Sequence, residues 1–337
     1  MSSSLKIVGK YLDQPILVEK LRKAVPIGLS ACAAVYTLDK TVQAPTPEKK
    51  KKAFIRNGLI LGATIASALA APRIATAITG KKAVTPFKEL VKENTKLIDE
   101  FVRKNQTGNE VGSILQKAKS KVLAPKEILT LTGELKGKDS KEFLDKLIPP
   151  PENVSSKDIF SEIGWLSIVG AIPVVGGVIG GIAADKVTGE NWQKRLPDKI
   201  KEGSYQYLAN IFLCNVGAGA ALGILEKNNI QSRLARGLGM IAGIILTGVI
   251  GGSKIANYIG DKFINPVLCN ERCPKGKKHK HHDERTPELI DIGLHTDDIA
   301  TVSLLSGLKW IEPALPILYT VSGYRAGIGY RNHRDKA

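Results

Sequence analysis

The chain has 337 residues, 43% of them hydrophobic and 5% aromatic, and 49 Lys plus Arg against 32 Asp plus Glu leave a formal net charge of +17. The hydrophobic residues are gathered into long uncharged runs parted by stretches that are nearly all polar. That distribution argues against a plain soluble enzyme and against a disordered basic protein. Four scattered cysteines argue against a disulfide scaffold.

Residues 1–23 read as a basic amphipathic lead-in. Leu29, Ser30, Ala31 and Cys32 fit a lipobox, but Asp13 and Glu19 stand in the leader and the apolar run continues past Cys32 to Leu38. A cleaved targeting segment is therefore not expected. The first uncharged run, 24–38, has 15 residues. It is short for a hydrocarbon core that needs ~20 helical residues. Residues 44–52 read as a loop carrying Lys49, Lys50, Lys51 and Lys52, which suit anionic lipid headgroups. The second run, 57–72, reaches spanning length by extending to Thr79, with Arg73 snorkelling to the interface. Residues 24–79 are thus expected to supply membrane helices one and two.

Residues 80–160 form a polar helical insert. Phe87, Leu90, Val91, Leu97, Ile98, Phe101 and Val102 mark one face of a helix, with opposite charges at Asp99/Arg103 and Glu100/Lys104. Short helices are expected over 113–123, 126–135 and 140–148, the last stopped by Pro149. Its apolar stripe is free to rest on the membrane surface, on the bundle or on a partner.

A third uncharged run, 163–184, places membrane helix three in 161–186. Runs over 203–225 and 237–253, the latter extended to Ile259, place helices four and five in 203–260. Residues 261–298 are a loop in which Cys269, Cys273, His279, His281 and His282 are of the types zinc or another transition metal prefers. Their spacing fits no zinc motif, and the lysines among them oppose a cation, so no cofactor is required. The sixth run, 299–323, contains Lys309 and Glu312, three apart and a candidate intramembrane ion pair. Residues 324–337 are a basic tail.

The runs are rich in glycine, with pairs four apart at Gly58/Gly62, Gly176/Gly180, Gly177/Gly181, Gly219/Gly223, Gly239/Gly243, Gly248/Gly252 and Gly323/Gly327. A soluble helix loses ~1 kcal/mol per glycine relative to alanine, whereas in lipid small residues let helix backbones approach. Self-similarity links 30–40 with 217–227, 58–78 with 239–259, and 171–180 with 314–323, in the same order. The sequence therefore predicts an all-α, polytopic membrane helix bundle of about six Gly/Ala-rich spans in two related three-helix halves, with a helical soluble insert.

Function is less sharply drawn. The basic residues flank apolar runs everywhere and no aromatic platform accompanies them, so nucleic acid is not an expected partner. P-loop, zincin and nucleophile-elbow motifs are missing from the sequence, so an enzyme is not expected. The expected partners are the bilayer with its anionic headgroups and a helix–helix partner or second copy of the chain. A non-catalytic membrane scaffold or assembly partner is the leading expectation. A solute or ion transporter built from inverted three-plus-three repeats is the alternative.

Overall fold

The computed structural model describes residues 7, 10–12, 14–80, 87–148, 156–230, 233–264, 313 and 315–329. Every regular element among the described residues is helical. The chain divides into two units, one of Met1–Val25, Lys82–Val154 and Ser303–Ala314, the other of Pro26–Lys81, Ser155–Val302 and Leu315–Ala337.

In the first unit, four helices follow one another: α3 (Phe87–Lys104), α4 (Asn109–Ala118), α5 (Pro125–Glu134) and α6 (Lys138–Leu147). The apolar stripe of α3 is turned into a core of the unit's own, where Ile98 and Phe101 pack with Leu115, Leu131, Phe143 and Leu147. Phe101 and Phe143 stack with ring centroids 3.9 Å apart. Helix α5 starts where Pro125 supplies the first-turn residue and Glu127 accepts from the Ala124 amide at 2.6 Å. The N-terminal residues belong to this unit: Gln14 donates to the Leu123 carbonyl at 2.8 Å and accepts from its amide at 2.7 Å. One side chain thus satisfies both groups of a buried peptide backbone, as a neighbouring strand would.

The second unit is built from long helices. α1 (Pro15–Val42) enters it at Pro26 and is followed by α2 (Pro47–Thr79), α7 (Ser156–Val187), α8 (Trp192–Tyr207), α9 (Leu213–Lys227), α10 (Arg233–Ile244), α11 (Ser253–Ile259) and α12 (Leu315–Ile328). Wide π-helical turns at Leu208–Phe212 and Ile245–Gly252 join α8 to α9 and α10 to α11. Among the described residues, four helices are long and apolar enough to cross a membrane: Pro47–Thr79, Ile163–Val187, Trp192–Lys227 and Ala235–Ile259. α1 is not one of them, because charges at Glu19, Lys20, Arg22 and Lys23 and again at Asp39 and Lys40 bound its short apolar run. The expected sixth run lies mostly outside the described residues; its end forms α12, 14 residues long.

Two boundaries differ from the sequence reading. The four lysines expected on a loop lie in the first two turns of α2, because Thr46 caps that helix by accepting from the Lys49 amide and Pro47 preorganises its first turn. Residues 192–201, expected to connect spans, are helical. Asn191 caps them by accepting from the Lys194 amide at 3.1 Å, and α8 runs on without a break into the apolar stretch.

Contacts at glycines fix the helix directions. Gly176 faces Ser67 while Gly180 faces Leu59 and Ile60, so α2 and α7 are antiparallel. Gly217 faces Gly243, and Gly239 faces Leu225, so α9 and α10 are antiparallel. Gly177 faces Gly323 and Gly181 faces Gly327, so α7 and α12 run in the same direction. At Gly177 and Gly181 an added Cβ would overlap the carbonyls of Gly323 and Gly327, so these backbones meet as closely as two helices can. Strict alternation of six spans requires the third and sixth to be antiparallel. α12, the described part of the sixth, does not take that direction.

Candidate functional site

Helix α8 and its continuation carry five buried polar residues, Lys199, Glu202, Gln206, Asn210 and Asn215. The first four recur three or four residues apart, which sets them on one helical face. The fifth follows at five, and the π turn at Leu208–Phe212 absorbs the extra residue. That wide turn also frees carbonyls, which Cys214 and Asn215 satisfy by donating to Ala209 at 3.2 Å and Ile211 at 2.8 Å. From the neighbouring helix, Thr247 donates to the Leu213 carbonyl at 2.8 Å.

The charged end of the stripe ties three helices together. Lys199 and Asp185 at the end of α7 are both 0% exposed and 3.1 Å apart. Lys199 also donates to the Gly327 carbonyl in the last turn of α12, at 2.7 Å. A cation at an unsatisfied helix C-terminus is favourable. The chain then leaves α12 at Gly329, whose φ of +88° belongs to the left-handed region. Asp185 sits at a helix C-terminus, where the macrodipole opposes an anion. Lys199 and Arg195, the latter donating to Asp185 at 3.0 Å, offset that penalty. Arg195 reaches Glu190 as well, at 2.8 Å.

One turn along, Glu202 pairs with Arg325 of α12 at 3.4 Å and accepts from Gln206 at 2.8 Å; Gln206 in turn accepts from Asn210 at 2.9 Å. The ladder is polarised, each amide donating toward the carboxylate. Asn210 Oδ1, Asn215 Oδ1, Ser167 Oγ and Ser322 Oγ are buried and meet no hydrogen-bond partner among the described residues.

At the opposite end of α7, Glu226 accepts from the backbone amide of Ser156 at 3.0 Å, from its hydroxyl, and from Arg236 at 2.9 Å. An acid supplied by α9 thereby caps the N-terminus of α7.

Of the residues singled out from sequence, Lys49, Lys50, Lys51 and Lys52 are exposed, with Lys52 3.6 Å from Glu48. Cys269, Cys273, His279, His281, His282, Lys309 and Glu312 lie outside the described residues. Among the described residues, no group of three or more Cys, His, Asp or Glu is placed to hold a metal. Asp185, Lys199, Glu202 and Arg325 are not among the residues singled out from sequence. Their signal was present: three to four residue spacing of polar groups running into an apolar helix.

No protein-family model, no curated protein and no solved structure matches the chain. Chemically, the arrangement offers paired charges and amides within a helix bundle.

Proposed function

We propose that the chain is an integral multi-pass membrane protein with a non-catalytic role as a scaffold or assembly partner. The observation that carries the reading is the fastening at Lys199, which engages α7 through Asp185 and α12 through the Gly327 carbonyl. It stands beside glycine contacts that admit no Cβ. A bundle held by backbone contact at one face and by an enclosed ion pair at its end resists the rocking that alternating access requires. Such rigidity suits a part that holds others in place.

A solute or ion transporter is the second reading, favoured by the four buried oxygens without partners along the α7, α8–α9 and α12 faces. Polar groups within a spanning bundle are by default candidates for a pathway. The parallel course of α7 and α12 removes the support that inverted repeats lent to it.

The test is purification of the full chain from carbonate-washed membranes, followed by reconstitution. Retention in the membrane, a partner recovered in stoichiometric amount and no solute or ion flux from proteoliposomes are expected. Flux that disappears in Glu202→Gln would replace the scaffold reading with the second one. Release by carbonate would refute both.

A further inference from the structure

We propose that the Asp185 end of the bundle is a binding surface for anionic phospholipid headgroups; the proposal rests on the reading of the chain as an integral membrane protein. The helix directions gather at this end the C-terminus of α7, the N-termini of α2 and α8, and the C-terminus of α12. The end of α1 is there too: Tyr36 meets Tyr324 of α12 edge-on at 5.4 Å, and Tyr324 donates to Asn57 of α2 at 2.6 Å.

Lysines dispersed through the sequence are thereby brought to one level. Lys49, Lys50, Lys51 and Lys52 on α2, Lys186 on α7 and Lys194 on α8 are all exposed there. At the Glu226 end, Arg236 is engaged by Glu226 and the exposed cations of the described helices, Arg73, Lys157 and Lys227, are fewer.

A second observation separates a headgroup layer from plain solvent. At the basic end, lysines stand over aromatic rings in three places: Lys186 over Trp192 at 4.8 Å, Lys40 over Tyr36 at 5.5 Å, and Lys262 over Tyr258 at 5.3 Å. Tyr258 and Phe263 are more than half exposed. Aromatic rings paired with cations at a helix end are the composition of a membrane interface. At the Glu226 end, Trp165 is buried, donating to Thr76, and the exposed aromatic of α7 is Phe160, at 50%.

Each basic residue near an anionic surface contributes about fivefold in affinity. The experiment uses the full chain in neutral detergent, with added phosphatidylglycerol or phosphatidylcholine, and reads lipid retained per protein at low and high salt. At low salt, phosphatidylglycerol is expected to be retained at least tenfold over phosphatidylcholine, with the preference lost at high salt. Replacing Lys49, Lys50, Lys51 and Lys52 by Gln removes it, replacing them by Arg preserves it, and Arg73→Gln with Lys227→Gln leaves it unchanged. Equal retention of both lipids overturns the proposal while leaving the membrane reading intact. Release of the chain by carbonate overturns the membrane reading itself.

Discussion

Asp185 and Lys199 lie 3.1 Å apart with no exposure of either, and each holds a second partner that differs in kind. Asp185 keeps a formal charge, Arg195, on a side chain that is one-third exposed; Lys199 keeps a neutral carbonyl, that of Gly327. Loss of the lysine leaves an acid still paired with an arginine. Loss of the acid leaves an enclosed ammonium facing a carbonyl. Breaking a buried pair costs about 3–5 kcal/mol, so Lys199→Met is expected near the lower figure and Asp185→Asn near the upper one. The double variant should recover most of the loss, since Arg195 can turn to solvent. Thermal unfolding of the full chain in detergent measures all three. A double variant as unstable as the sum of the singles would show that the two residues act independently.

Glycines with the same spacing have different surroundings. At Gly177 a Cβ would overlap the backbone of Gly323, whereas at Gly62 it would meet nothing within 4 Å. Gly177→Ala must therefore part α7 from α12, at a cost of ~1–3 kcal/mol for overpacking. Gly62→Ala removes backbone freedom with nothing in the way, and should be neutral or stabilising by up to ~1 kcal/mol. Unfolding midpoints of the two variants decide the matter; the same sign for both would break the link between close approach and stability.

Where a single helix decides, the sequence was legible. The apolar runs 57–72, 163–184 and 203–225 lie within helices long enough to span, because length and apolarity are local properties. The insert's helices α5 and α6 start within two residues of expectation, set by Pro125 and by the charged Lys138–Leu147 stretch. α4 ends five residues early, at Ala118, because residues 119–123 turn to bring Leu123 against Gln14, a partner 109 residues away. The same limit hid the buried stripe. Lys199 looks like a boundary until Asp185 and Gly327 are beside it, and Asn210 with Asn215 looks out of phase until the π turn is known. The direction of α12 is a tertiary fact that no periodicity contains.

Gln14 is the side chain on which the first unit's N-terminal segment depends. Gln14→Ala would strip partners from the amide and the carbonyl of Leu123, and each buried group left unsatisfied costs ~1–3 kcal/mol. Hydrogen exchange on the full chain is expected to show lost protection at Leu123 and through α4 and α5. Protection in α7 and α8 should be unchanged. Undiminished protection at Leu123 would mean that the side-chain bonds are replaceable by water.

The same unit carries an acid-sensitive contact at Glu127. Burial works to raise its carboxyl, but the hydrogen bond from Lys117, the Ala124 amide and the charge of Lys117 outweigh it and leave the group lowered. A carboxyl lowered in the folded state binds fewer protons there than when unfolded, so its contribution is present above the unfolded value and is lost as pH falls through the folded one. The loss therefore falls below about pH 4.3, and the start of α5 is where it should appear. The Lys117–Glu127 pair is partly exposed, at 38% and 24%, and solvent screening holds its contribution to roughly 0.5 kcal/mol. Lys117→Met should flatten the acid limb of local stability at α5, read by hydrogen exchange between pH 3 and 6, with little change above it. Glu127→Gln should flatten it as well, and should also weaken the cap at Ala124 across the whole range. An acid limb that survives both substitutions would place the titrating group elsewhere in the unit.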